Sequence, residues 1–83
     1  MNIKFTVKSD GGRILTCVLD AEKELDLQLE EVMGLSHGHG IGVTVREDEI
    51  EVVDYYHASS MAGFRVLCRE ETEDPLSLKW TER

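Results

Sequence analysis

The chain has 83 residues, which is room for a single domain over residues 1–83 and no second core. Its 41% hydrophobic and 31% charged residues predict a folded globular protein, and the absence of a long apolar run or a secretory leader favours a cytoplasmic protein with no membrane partner. The net charge of −8 disfavours direct binding to nucleic acid, because phosphates would be repelled.

A hairpin of two strands is predicted at the N-terminus. Apolar and polar residues alternate over residues 2–8, which is the period-two pattern of a half-buried strand. Residues 10–12 include two glycines that accept the positive φ angles of a turn, and the apolar run 14–19 follows at once. We therefore expect these two segments to pair in antiparallel fashion.

Residues 20–34 fit a helix better than a strand, although the leucines of residues 25–29 alternate as they would in a strand. Asp20 is a favourable N-cap, and Gly34 can end the helix in the left-handed conformation. At 3.6 residues per turn, the helix would have one apolar stripe, and Leu27 would lie off it. The residues within that stripe are Ala21, Leu25, Leu29, Val32 and Met33.

A glycine-rich loop and a second hairpin are predicted next. Residues 34–42 contain four glycines and no carboxylate or ammonium side chain, which indicates a loop. Alternating apolar residues then predict strands over 41–45 and 50–56, with Glu47 and Asp48 in the turn between them.

The C-terminal part predicts a loop and two further strands. Residues 58–63 are small and polar, as in a loop, and alternation resumes over 64–68. The Asp74–Pro75 pair should stop that strand, because proline cannot donate to the ladder. Residues 76–80 alternate once more and predict a short edge strand.

This order of elements predicts an α+β domain with the plan ββαββ(ββ). We expect a mainly antiparallel sheet with the helix packed on one face. The layout of residues 2–33 resembles the opening of the β-grasp, ubiquitin-like fold, but the glycine-rich loop and long hairpin after the helix depart from it. No function is implied by a likeness of layout alone.

The two cysteines, Cys17 and Cys68, lie 51 positions apart and have no neighbouring cysteine or histidine in a zinc or redox spacing. Both occur in apolar runs. Two small buried hydrophobic side chains are the favoured interpretation, and a disulfide is the alternative.

Acidic residues concentrate in three segments of the chain. Residues 20–31 carry six acids against one lysine, residues 46–54 carry five against one arginine, and residues 69–74 carry four against one arginine. Like charges at this density repel one another and cost stability. Two explanations remain open for them: a surface that keeps the protein in solution, and an acidic face that binds a partner.

The leading functional hypothesis is a non-enzymatic binding protein without a cofactor. If the acidic segments converge, their carboxylates could imitate the phosphates of a duplex and inhibit a basic protein or nucleoprotein complex as a decoy. Small phage-encoded inhibitors of host defence, anti-CRISPR proteins among them, are similar in size and acidity. The residues predicted to bind the partner are Glu30, Glu31, Glu47, Asp48, Glu49, Glu51, Glu70 and Glu71.

Two alternatives remain open at the level of sequence. His37 and His39 point to the same side if their segment is extended, and His57 could complete a three-histidine zinc site with Asp54 behind one ring. A structural subunit of a larger assembly is the other alternative. A homodimer is also expected, because both faces of the 50–57 strand carry apolar or aromatic groups that one helix cannot cover.

Catalysis is disfavoured by the sequence. Neither Ser59 nor Ser60 lies in a nucleophile elbow, although Asp54 and His57 are close by in the chain. The glycines of residues 38–42 lead into a strand and not into a helix N-terminus, so they do not form a phosphate-binding loop.

Overall fold

The computed structural model describes residues 1–35 and 40–83. Within them the chain forms six strands and one helix, in the predicted α+β order. The elements are β1 (Asn2–Ser9), β2 (Ile14–Asp20), α1 (Leu25–Val32), β3 (Ile41–Val45), β4 (Glu49–Asp54), β5 (Ser59–Thr72) and β6 (Ser77–Glu82).

The strands form one sheet in the order β3-β4-β5-β1-β2-β6, and every pairing in it is antiparallel. Helix α1 packs on one face and contacts both edge strands, β3 and β6, as well as β2. The sheet must therefore curl around the helix. The same curl brings Phe64 of β5 within 5.4 Å of Trp80 of β6, measured between ring centroids, although two strands separate them in the sheet.

The core lies between the concave face of the sheet and α1. The odd-numbered residues of β1 and β2 face it, as the alternation of the sequence predicts, and Phe5 and Leu19 are fully buried. The helix contributes Leu29 and Val32, and β3 and β4 contribute Val43 and Ile50. No helix among residues 1–35 and 40–83 is long and apolar enough to cross a membrane.

A helix within residues 20–34 is confirmed, but it is shorter than predicted: Asp20 is not its N-cap, and Ala21 precedes it in an exposed turn and is not part of its apolar stripe. Asp20 is the last residue of β2, and α1 begins only at Leu25, with Glu24 at the N-cap position. The Gln28 side chain binds Asp20 in this position. Its Oε1 accepts the Asp20 N–H at 2.7 Å and its Nε2 donates to the Asp20 carbonyl at 2.9 Å, so a helical side chain holds the end of the strand.

The end of the helix is confirmed at Gly34, whose φ is +70°. The Gly34 N–H donates to Glu31 O and the Leu35 N–H donates to Glu30 O, at 3.0 and 2.9 Å. This pair of bonds is the Schellman ending, which needs a residue that tolerates positive φ. Leu27 lies off the apolar stripe as predicted, and its side chain is 46% exposed.

The prediction of a loop over residues 58–63 is wrong. A short turn connects β4 to β5, which begins at Ser59, and residues 59–63 pair with β4. Small side chains do not prevent a segment from pairing when a neighbouring strand supplies the hydrogen bonds. Correspondingly β4 ends at Asp54 and not at residue 56, while the stop before Asp74 and the edge strand β6 are as predicted.

The two cysteines differ in their surroundings, and both are free thiols. Cys17 is buried and pairs across from Phe5, whereas Cys68 is exposed and pairs across from Thr6. Because Phe5 and Thr6 are successive residues of one strand, the two thiols lie on opposite faces of the sheet and do not pair. The prediction of a buried side chain is thus right for Cys17 and wrong for Cys68.

Thiol labelling should distinguish the two cysteines. Burial raises the pKa of the Cys17 thiol to about 12, so this group has almost no thiolate at neutral pH and is shielded from reagent. We expect the native chain to release one equivalent of chromophore from a thiol-exchange reagent such as Ellman's, and the denatured chain to release two. Two rapid equivalents from the native chain would contradict the burial of Cys17.

Candidate functional site

The outer side of β5 changes along its length. Residues 59–65 of β5 pair with β4 on that side, and the Val66 N–H donates to the carbonyl of Asp48 at 2.9 Å. Beyond Val66, no strand in the described parts of the chain pairs with this side of β5, although β1 continues to pair with the other side. Residues 67–72 therefore present an open strand edge next to the β3–β4 turn.

Five predicted acidic residues lie on this open edge or at the β3–β4 turn next to it. Asp48 is beside Val66 at the end of the β3–β4 hairpin. Glu70 lies about 10 Å further along β5, because a bulge after Val66 places the two residues opposite Val7 and Lys4, which are three positions apart on β1. We call this set the acidic edge. It consists of Glu47, Asp48, Glu49, Glu70 and Glu71.

The carboxylates of the acidic edge are exposed, and none of them forms an ion pair within the described residues. Glu70 pairs across from Lys4 and Glu71 from Ile3, so the two side chains leave opposite faces of β5 at its open side. Lys4, which lies across from Glu70, forms its ion pair with Asp74, at 3.7 Å between Lys4 Nζ and Asp74 Oδ2. Within residues 1–35 and 40–83, no ion pair therefore compensates the negative charge of the acidic edge.

Basic residues stand beside the acidic edge and limit its extent. Lys8 and Arg65 line an open groove of about 470 Å³ together with Asp48 and Glu49. Within β5, Arg69 faces the helix side, where its guanidinium carbon lies 5.3 Å from the centroid of the Phe5 ring. These cations divide the negative surface into a hairpin part and a β5 part.

The structure places the other three predicted acids away from this edge. Glu51 is half-buried in β4, and its carboxylate lies 3.5 Å from Arg46 Nε. Glu30 and Glu31 lie in the last part of α1, and Glu31 faces a separate groove beside β6. The eight acids predicted to bind a partner therefore do not lie side by side as one patch.

Topology explains what sequence reasoning missed about this surface. The edge is open because β4 stops pairing with β5 at the β3–β4 turn. This turn lies level with Val66, halfway along the 14 residues of β5. Nothing in the composition of residues 67–72 signals this, since the register between β4 and β5 decides it.

Asp54 and His57 form a close pair in the β4–β5 turn. His57 Nδ1 lies 2.8 Å from Asp54 Oδ2, and Asp54 Oδ1 accepts the backbone N–H of Tyr56 at 3.0 Å and of His57 at 3.3 Å. These contacts close the turn that carries Ala58 at a φ of +50°.

The contacts of this turn do not support the zinc-site or the catalytic-triad alternative. His37 and His39 lie outside the described residues, and no cluster of potential metal ligands occurs within them. No hydrogen bond in the described residues joins His57 to Ser59 or Ser60, so the serines lack an activating contact there. The metal site with His57 stays a prediction.

The Asp54–His57 pair has a testable effect on pH dependence. The hydrogen bond from His57 lowers the pKa of the Asp54 carboxyl below its ordinary value. Because this pKa is lowered on folding, the contribution of Asp54 to stability is present above its unfolded pKa and is lost as the pH falls through the lowered value. We expect His57→Ala to raise the pKa of Asp54, measured by an NMR titration of its carboxyl carbon; an unchanged pKa would contradict the contact.

Comparisons of this chain with known protein families, with curated proteins and with solved structures found no match. The two features that stand out are the acidic edge and the open side of the strand that carries part of it.

Proposed function

We propose that the protein is a non-enzymatic inhibitor that binds a basic nucleic-acid-binding partner through the acidic edge. The observation that carries this proposal is that five exposed carboxylates, two on an open strand edge and three at the adjoining β3–β4 turn, have no ion pair inside the described chain. Such carboxylates can take the place of phosphates in a groove lined by lysine and arginine.

The net charge supports the same proposal. A chain with 17 acids against 9 bases attracts a basic partner over a distance comparable to the Debye length, about 8 Å at physiological salt. Long-range attraction raises the association rate, and the acids of the edge then set the orientation of the complex. The complex is expected to weaken as salt rises.

The open edge adds a second element of recognition. Backbone N–H and C=O groups along one side of residues 67–72 are free to pair with a strand of the partner, since no described strand covers them. Main-chain pairing would fix the register of a partner strand beside Glu70 and Glu71. Charge then determines which partner binds, and the strand edge determines how it is placed.

A competition experiment tests this proposal. The chain is immobilised and exposed to a nuclease-treated lysate of its source organism at about 50 mM and at about 500 mM salt, a range over which phosphate-type contacts lose several orders of magnitude in affinity. The retained protein is identified and then challenged with a duplex DNA oligonucleotide and, separately, a duplex RNA. We expect a basic nucleic-acid-binding protein that is retained only at low salt and is released by one of the duplexes.

Three results would contradict the proposal. One is a retained partner that neither duplex displaces, because a decoy must occupy the nucleic-acid site. The second is retention that is unaffected by salt. The third is recovery of the chain alone, which would favour a self-assembling structural subunit.

A further inference from the structure

A second surface lies between α1 and β6. It is an open groove of about 450 Å³ with the side chains of Leu27 and Leu78 in its floor. Leu27 is 46% exposed although it lies in a helix that packs on the core. The groove therefore offers apolar surface that the fold itself does not use.

The floor of this groove is held in place by hydrogen bonds. Gln28 lines it next to Leu27, and the Gln28 side chain is fixed to both backbone groups of Asp20 at 2.7 and 2.9 Å. Helix α1 is thereby attached to the end of β2. A ligand in the groove would meet a preformed surface and would lose less free energy to ordering it.

Acidic residues surround the apolar floor. Glu24 and Glu31 lie two helical turns apart, about 10.5 Å along the axis, on either side of Leu27, and Glu22 precedes them. Of the described residues that line the groove, Lys23 is the one basic residue. None of the three glutamates forms an ion pair within the described residues.

The groove lies beside an edge of the sheet. Strand β6 pairs with β2 on one side, and no strand among the described residues pairs with it on the other. Its outer backbone groups are thus free to accept another strand.

We propose that this groove docks an extended basic peptide segment that adds to β6 and places one aliphatic side chain between Leu27 and Leu78. In an extended segment, side chains two residues apart point to the same side, so basic residues at both second-neighbour positions would face the groove with the aliphatic one. Those two basic residues lie about 13 Å apart, which suits the spacing of Glu24 and Glu31. The recognised pattern is basic-x-aliphatic-x-basic.

A second copy of this chain fits the groove poorly. In a two-fold symmetric contact the same patch is present on both partners. The three glutamates of one copy would then face those of the other, and a charge of −8 on each chain adds to the repulsion. Charge complementarity thus favours a basic segment of another protein.

Peptide titrations followed by backbone amide NMR shifts test the proposal. The probe is the acetylated and amidated peptide TRTLTRT, and its controls are TRTSTRT and TETLTET. We expect TRTLTRT to shift amides of β6 and α1, and the serine peptide to bind about tenfold more weakly because it lacks the leucine. The glutamate peptide should not bind, since its charges are repelled.

Matched variants of the protein complete the test. Leu27→Ala should weaken TRTLTRT binding about fivefold, since part of the apolar floor is removed, whereas Leu67→Ala, which alters an equally exposed leucine on β5, should not. Reversal of the acidic edge should leave the peptide-induced shifts in β6 and α1 intact, so this inference and the proposed function fail separately.

Three outcomes would overturn the inference. The first is equal binding of the leucine and serine peptides, which would indicate nonspecific attraction of charge. The second is the absence of shifts in β6 and α1. The third is self-association of the free chain that Leu27→Ala abolishes, which would assign the groove to a second copy.

Discussion

Simultaneous replacement of Glu47, Asp48 and Glu70 by lysine should weaken the complex with the basic partner by about a hundredfold or more. Each change removes an attraction and introduces a repulsion, and three such changes at about 1 kcal/mol each amount to this loss. All three side chains are exposed and lack an ion pair in the described chain, so the free energy of unfolding should change little. Calorimetric titration at about 100 mM salt measures the affinity.

A second triple variant controls for net charge. Glu22→Lys, Asp26→Lys and Glu31→Lys change the charge by the same amount but lie at or beside α1, outside the acidic edge. We expect this variant to slow association and to lose less than about tenfold in affinity, because only the long-range attraction is reduced. Equal losses in the two variants would show that the acidic edge has no specific role.

The strands of this fold were largely predictable because their apolar residues alternate. In β1 the alternation places Phe5 and Val7 on the buried face, and the glycines that follow specify the turn. The end of α1 was predictable for a similar reason, since Gly34 is the residue that tolerates its positive φ. Each of these features depends on residues that are close in sequence.

Features that depend on distant partners were not predictable in this way. Asp20, a favourable N-cap in sequence, instead ends β2, where the amide of Gln28 binds its backbone across eight positions of the chain. Residues 59–63 have the composition of a loop and became a strand because β4 pairs with them. In both cases a tertiary contact overrides a local preference.

The candidate site shows the same division. The acidic residues themselves are evident from the sequence, but which of them lie together depends on strand register. The Asp48 carbonyl meets Val66, and this contact brings the β3–β4 turn to the edge that carries Glu70. Glu30 and Glu31 are equally acidic in sequence and lie in α1, away from that edge.

The largest loss of stability is expected for Phe5→Ala. Phe5 is fully buried in the central strand, between Cys17 of β2 and Arg69 of β5, and its ring lies under the Arg69 guanidinium. Its removal leaves a cavity that the surrounding strands cannot fill, which costs about 3–5 kcal/mol. A domain of this size has a free energy of unfolding of about 5–10 kcal/mol, so urea denaturation followed by circular dichroism should show a much lower midpoint.

Two further substitutions separate the causes of this loss. Phe5→Leu keeps most of the buried apolar surface but removes the ring beneath Arg69, and we expect it to cost about 1–2 kcal/mol. Leu67→Ala removes a side chain that is 46% exposed at the open edge of β5 and should cost less than about 1 kcal/mol. If Phe5→Ala were no more destabilising than Leu67→Ala, Phe5 could not lie at the centre of the core, and the placement of β1 between β2 and β5 would have to be abandoned.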